Sequence, residues 1–406
     1  MPALNSSKGP APGLPPGTGI LLSLIASGQA RSRAELIEAS GLSRSTVGER
    51  LAALFDGRFI LEAEASMPSG GRPTRVLALN RSFSVALVSD VGESHVHSAV
   101  TDLQPGILAE TVDPIDVGSG PQAVRAVIAR QYRQLLKQVG RGKGEVLGIG
   151  LGLPAPVDHA SGRVFGPSVM TGWDGFDVRA WLQAEFDAPV SVENDVNLMT
   201  LSELRRFWPD VGQLLFIKAG TGIGSGIVTD RHIYRGAQGA AGDIGHIQFS
   251  TTNAPLCRCG KLGCVEARAG GWAIARDLRA AGFEAKDARD VLALVGKGVP
   301  EAVHLVREAG RVLGEVAADV VSILNPGVIV IGGTLAAAEE HLLAGVRERV
   351  YQRCLPLATR TLQISAARSD PRSCLLLGAA QLVIEAQLQP ATIERTLERL
   401  RRTAAA

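Results

Sequence analysis

"QLLFIKAGTGIGSGIVTDRH" occupies residues 213–232 and reads as an apolar strand, a glycine-rich tight turn and a second strand ending in Thr229 and Asp230. "SFSVALVSDVGESHVHSAVTDL", residues 82–103, reads the same way and ends in Thr101 and Asp102. The two stretches lie about 130 residues apart, and a loose internal repeat of this kind predicts two similar α/β lobes. Two such lobes would face a cleft, the place where open α/β sheets bind ligands.

Outward from this pair, strands and helices alternate from about residue 81, the pattern of an α/β domain. "EVLGIGLGLPAPVD", residues 145–158, is a buried strand running into a proline turn. "PVSVENDVN", residues 189–197, is a short strand that delivers Glu193, Asn194, Asp195 and Asn197 at its C-terminal end, where polar groups face a cleft. Residues 302–324 carry helical apolar spacing through Val303, Val306, Leu313, Val320 and Leu324, and "NPGVIVIGG" follows as a buried strand and glycine turn. "IERTLERLRR", near the C-terminus, reads as a surface helix.

Toward the N-terminus the pattern changes. Residues 1–19 hold five prolines and no apolar period, and are expected to form an unfolded arm. "ILLSLIASGQA" predicts a short helix ending at Gly28, and "SRAELIEAS" predicts a second with Ser32 as N-cap. Gly41 breaks the chain, and a third helix begins at Ser43 with Val47, Leu51, Leu54 and Phe55 on one side. Helix, glycine turn and helix form a helix-turn-helix, whose second helix offers Arg44, Ser45, Thr46 and Arg50 to base edges. "FILEAEASMPSGGRPTRVLALN" follows as two strands around a glycine-rich tip, a wing that would place Arg72 and Arg75 against phosphate or the minor groove. A plain packing or dimerisation module is the alternative for this segment.

Composition bounds these readings without choosing among them. A chain of 406 residues, 46% hydrophobic and 20% charged, is globular and long enough for two or three domains. Its net charge of +2 is too small to argue for nucleic acid, so DNA contact must come from a local arrangement. There is neither a membrane-length apolar run nor a signal-peptide pattern, so a cytoplasmic protein is expected. Three of the five cysteines gather in "CRCGKLGC", residues 257–264, too close together for a disulfide framework, which favours a metal.

"GLSRSTVGERL", "GGRPTR", "PVSVENDVN", "AGTGIGSGIV", "GDIGH" and "CRCGKLGCVEARAG" occur here in the order seen in the ROK family of repressors, open reading frames and sugar kinases, and the chain resembles that family over nearly its whole length. The resemblance implies an N-terminal winged helix-turn-helix domain (20–80), then a two-lobed, actin-like sugar-kinase domain (81–390) with a zinc loop, then a tail helix (391–406). His246 with Cys257, Cys259 and Cys264 offers one nitrogen and three sulfurs, a set suited to tetrahedral, structural zinc. By resemblance Asn194, Asp195, His246 and Glu266 hold a sugar, and Asp195 stands at the general-base position of the family's kinases. Asp243 replaces the glutamate of the usual "GEIGH", which shortens its reach by roughly 1.5 Å.

The nucleotide side departs further. Where kinases of the family place Gly-Gly-Thr after the first aspartate, this chain has Asp90, Val91, Gly92, Glu93, Ser94 and His95, so a negative side chain stands where a polyphosphate needs bare backbone. Ala155 also replaces the glycine of the usual "PGPV". The expectation is a homodimeric or homotetrameric DNA-binding regulator, a repressor that binds a double-stranded operator, responds to a sugar or sugar phosphate, and is not an enzyme. An active ATP-dependent sugar kinase carrying a DNA-binding domain is the alternative, and a scaffold that binds a protein in its cleft is a third.

Overall fold

The computed structural model describes residues 14–64, 75–165 and 170–404. At its centre stand two five-stranded sheets of one topology. The first has the strand order Ile107–Pro114, His95–Thr101, Val85–Val91, Val146–Leu153, Val190–Asn194. The second has the order His232–Tyr234, Ile223–Thr229, Leu214–Ala219, Val328–Gly332, Gln363–Ala366. In each, an antiparallel meander supplies three strands and two more add in parallel. The two stretches that read as a repeat are the equivalent hairpins of the two sheets, so the two-lobed α/β expectation matches the structure.

Strand alternation decides what each lobe buries. Along Leu214–Ala219 the side chains of Leu215, Ile217 and Ala219 enter one core, with the long helix Pro300–Leu324, while Leu214 and Phe216 enter another. That second core joins the lobes: it mixes Val88 and Ala99 of the first sheet with Val228 and Val330 of the second. Between them lie Leu198, Leu201 and Leu204 of the connecting helix Asp195–Phe207, and Leu376 and Ala380 of the helix Cys374–Gln387. These two helices touch at Gly378, where a Cβ would lie 1.9 Å from the carbonyl oxygen of Leu198. Any larger residue there would force them apart.

The N-terminal unit consists of helices Thr18–Ala26, Arg33–Ser40 and Arg44–Asp56 and an antiparallel strand pair, Ile60–Glu64 with Arg75–Leu79. Ser32 caps the second helix in a capping box, accepting from the Glu35 N–H at 3.2 Å while the Glu35 carboxylate accepts from the Ser32 N–H at 3.2 Å. Ser43 caps the third by accepting from the Thr46 N–H at 3.2 Å. Val47, Leu51 and Leu54 are buried and Phe55 half-buried, as their spacing predicts.

Two expectations at the chain ends are corrected. The arm expected over residues 1–19 lies outside the described residues up to residue 13, but Thr18 and Gly19 already belong to the first helix, where the Gly19 N–H donates to Glu394 at 2.7 Å. The C-terminal segment expected as a surface tail helix is instead the helix Ile393–Ala404, docked on that first helix. Ile393, Leu397 and Leu400 share a buried core with Leu21, Leu22 and Ile25, and the same core takes in Ala86 and Leu147 of the first sheet and Ile384 and Leu388. The apolar stripe was visible in the sequence; its partner lies at the other end of the chain.

Leu397 is fully buried in this seam. Leu397→Ala should therefore destabilise the protein by about 2–5 kcal/mol, the usual cost of such a truncation. Urea unfolding of the two proteins checks this, and a loss below about 1 kcal/mol would mean that the helix does not carry the seam.

Candidate effector cleft, metal centre and nucleic-acid interface

The opening turn of the helix Arg44–Asp56 leaves Arg44 and Ser45 exposed and Thr46 half-buried. Ser43 ties the turn together, its hydroxyl lying 2.9 Å from that of Ser45 and 2.8 Å from that of Thr46. Arg50 is separated from this group: it is half-buried and donates to the carbonyl of Gly17 at 3.3 Å. In the strand pair that follows, Arg75 begins the second strand and pairs with Glu62 across the ladder at 3.1 Å. Arg72 lies outside the described residues.

In the cleft, the strand Val190–Asn194 turns directly into the helix Asp195–Phe207. Asn194 commits both ends of its amide to that turn: its oxygen accepts from the N–H of Val196 at 2.9 Å, and its nitrogen donates to the carbonyl of Ala155 at 3.2 Å. It acts here as a helix cap. Beneath it, buried Glu193 accepts from the Asn194 N–H at 3.0 Å, the Asn197 amide at 2.9 Å and Arg235 Nε at 2.6 Å. His159 completes this group 3.5 Å from Glu193, and burial, reinforced by the Arg235 charge, holds its pKa below the ordinary histidine value.

Asp195 is buried at the head of the helix, with one oxygen accepting from the Val196 N–H at 2.8 Å and the other from Lys218 Nζ at 2.5 Å. Burial opposes the ammonium's charge, but the attraction and hydrogen bond of Asp195 outweigh it and raise the lysine pKa. Sequence reasoning missed Lys218. Its signal was a lone charge on a strand whose preceding residues, "LLFI", are all apolar.

Glu266 is also buried, at the start of a short helix, and one of its oxygens accepts from the N–H of Ile223 at 3.1 Å. The other accepts from Trp272 Nε1 at 3.1 Å and faces Arg258 at 3.4 Å. A Cβ on Gly222 would lie 2.4 Å from this carboxylate, so the glycine-rich turn of the second sheet is shaped around Glu266. Arg258 also pairs with Glu93 of the first sheet's turn at 3.6 Å, and so bridges the lobes. Asp243 is exposed and makes no side-chain cap to the short helix Ile244–His246 that follows it.

His246 ends that short helix, and its Nδ1 lies 3.8 Å from Cys257 Sγ, while Cys259 and Cys264 place their sulfurs 3.7 Å apart. Ligand atoms of all four residues lie within 4.8 Å of one another, one nitrogen and three sulfurs. Tetrahedral zinc with Zn–S bonds of about 2.3 Å has S–S edges of roughly 3.8 Å, so the donor set fits such an ion. Cys354 and Cys374 stand apart from this group, half-buried and buried respectively.

The ROK family pattern matches residues 87–386. The chain belongs to the ROK family. A putative xylose repressor from Caldicellulosiruptor sp. (strain Rt8B.4) is 27% identical over 385 residues, covering 91% of this chain and 95% of the relative. A glucokinase from Halalkalibacterium halodurans is 30% identical over 285 residues, covering 66% of this chain and 85% of the relative. The crystal structure of a ROK family transcriptional regulator, a homologue of the E. coli MLC protein, matches with a TM-score of 0.80 at 25% identity, covering 94% of this chain and 98% of that one. The actin-like, two-lobed ROK fold is therefore shared with regulators and kinases alike. Among the described residues, no helix is long and apolar enough to cross a membrane.

One ROK cleft residue yields a pH test. His95 Nε2 lies 3.5 Å from Asp90, and the hydrogen bond to that carboxylate, opposed by burial, raises the imidazole pKa. A raised folded-state value means that the pair's contribution is complete below the ordinary pKa of about 6.5 and is lost as pH rises through the folded value. NMR titration should place the His95 midpoint above the ordinary value, and Asp90→Asn should lower it. An unchanged midpoint in the variant would show that Asp90 is not the cause.

Proposed function

We propose that this ROK protein is a sugar-responsive, DNA-binding transcription regulator, a repressor without kinase turnover. The observation that carries this reading is the extent of the likeness. The xylose repressor and the MLC-like regulator cover 91% and 94% of the chain, more than everything after the start of the ROK-matched segment could supply, so the likeness reaches into the N-terminal helices. The glucokinase covers 66%. In this reading Arg44, Ser45 and Thr46 read base edges, the wing with Arg72 and Arg75 meets the backbone, and a homodimer or homotetramer spans paired half-sites. Arg50 supports the reading helix from behind through Gly17.

The effector site of this proposal comprises Asp195, His246, Glu266 and Asp243, with Asn194 holding the turn beneath them. A sugar there would bear on the head of the helix Asp195–Phe207, which packs on Cys374–Gln387, whose far end shares a core with the N-terminal helices. That chain of packed elements supports coupling between sugar and DNA, provided the sugar prefers one lobe arrangement over another. The cysteine loop would hold structural zinc through His246, Cys257, Cys259 and Cys264; when bound, the ion would supply a closed cross-link and no reactive position.

A sugar kinase is the second reading, favoured by the glucokinase likeness and by the placement of Asp195. Against it, Asp195 is paired with Lys218, and Glu93 stands in the phosphate turn. ATP-dependent phosphorylation of a hexose, abolished by Asp195→Asn, would establish the kinase instead.

Fluorescence anisotropy on an operator fragment tests the regulator. Arg44→Ala should weaken binding by about 1–3 kcal/mol, as for the loss of a base contact, and unchanged affinity would remove Arg44 from the reading helix. Metal analysis should find about one zinc per chain, and Cys264→Ser should lower both zinc content and Tm. Zinc far below one per chain would sink the metal centre.

A further inference from the structure

On the outer face of the first lobe, away from the cleft, two helices leave a groove between them. Pro121–Gln138 and Val178–Phe186 pack on the side of the first sheet opposite the core that joins the lobes. Ile128, Tyr132 and Leu135 of the one and Leu182 and Phe186 of the other are buried there. Above them opens a cavity of about 410 Å³, lined by Gln122, Arg125, Ala126, Ala129, Arg133 and Glu185. None of these residues belongs to the cleft, the metal loop or the helix Arg44–Asp56.

Charge around this groove does not balance. Glu185 is the carboxylate of its lining, and the hydrogen bond from Arg133, with the charges of Arg133, Lys143 and Arg125, holds its pKa below the ordinary value. Arg133 donates to it directly, while Lys143 stands 3.9 Å from it and donates to the Glu185 carbonyl at 2.8 Å. These contacts tie the two helices together and use the one carboxylate. Arg125 makes no hydrogen bond or ion pair among the described residues; its guanidinium lies over the Trp181 ring, 5.5 Å from the centroid. Stacked on a buried ring, it is held in place before any ligand arrives. Trp181 Nε1 is a further buried donor without an acceptor among the described residues. Lys137, one turn beyond Arg133, is exposed and likewise unpaired among the described residues, whereas Arg130 on the neighbouring stripe is matched by Asp113 at 2.9 Å.

Spacing sets what fits. Arg125, Ala129, Arg133 and Lys137 recur every four residues and so form one stripe, its cations separated by about 12 Å and about 18 Å along the helix at 1.5 Å per residue. Such a row is longer than a single phosphate and matches about four to six residues of extended chain at about 3.3 Å each. Ala126 and Ala129 keep the floor low between the arginines, which leaves room for a backbone. We propose that this groove is a docking surface for an acidic segment of a partner protein, whose carboxylates pair with Arg125, Arg133 and Lys137. Recognition by charge of this kind governs encounter and choice of partner. Glu185 is the internal competitor for Arg133, and the site is independent of the effector cleft.

The test is fluorescence anisotropy of a labelled glutamate decapeptide with the full-length protein at about 0.02 and about 0.3 M salt. The peptide should bind at low salt and weaken at least about tenfold at the higher salt. Arg125→Glu should weaken binding at low salt at least about tenfold while Tm stays unchanged, and Arg125→Lys, which keeps the charge but loses the fork, should fall between the two. Glu185→Gln should tighten binding by about threefold, because it releases Arg133; a cluster that only holds the helices together would show no such gain. Peptide binding that survived Arg125→Glu, or no binding at low salt, would overturn the proposal. Inorganic pyrophosphate that displaced the labelled peptide at lower concentration than unlabelled peptide does would also overturn it, and would make the groove a small-anion site.

Discussion

Burial of the helix Asp195–Phe207 between the two sheets is the constraint on which the rest of this structure depends. Its apolar side chains belong to a core shared by both lobes, and its close contact with the helix Cys374–Gln387 at Gly378 leaves no slack between the two. Because the strand before it ends at Asn194, the cap that starts the helix and the carboxylate at its head are presented to the cleft by the same packing that joins the lobes. Site and scaffold are therefore one object, and the side chains that would meet an effector sit on the element whose displacement both lobes must feel.

The cleft is lined by ion pairs between the chain's own side chains. Asp195 holds the Lys218 ammonium, and the first sheet's turn carries Glu93, tied to Arg258 across the gap. Kinase catalysis rests on positioning and on stabilising charge that develops on phosphate. In this cleft Lys218 and Arg258 are paired with carboxylates of the chain itself. The same ion pairs suit a sensor, because a cross-lobe pair such as Arg258 with Glu93 gives the lobes a preferred arrangement that a ligand can oppose or reinforce.

Much of this was legible in advance, for physical reasons. The hairpins are local, so strand alternation and turn glycines announce them, and their recurrence announces the second lobe. The cysteine loop closes within a few residues, and its donors advertise one another. Lys218 is 23 positions from its partner Asp195, Arg235 is 42 from Glu193, and Glu394 is 375 from Gly19, where it anchors the first helix. No local pattern links such pairs. Asn194 also caps the helix that follows it, a role its place at the strand end decides.

By itself, the sequence determined the paired α/β hairpins, the three N-terminal helices with Ser32 as a cap, and the His and Cys donor set, because each is announced by residues close together along the chain. Tertiary structure decided which charges meet in the cleft, that Arg50 turns back to Gly17 instead of joining Arg44, and that the last helix packs against the first. Those outcomes depend on how two sheets close around one helix. An amphipathic stripe or a lone lysine states what it needs, an apolar surface or a counter-charge, but only the folded chain supplies the particular partner.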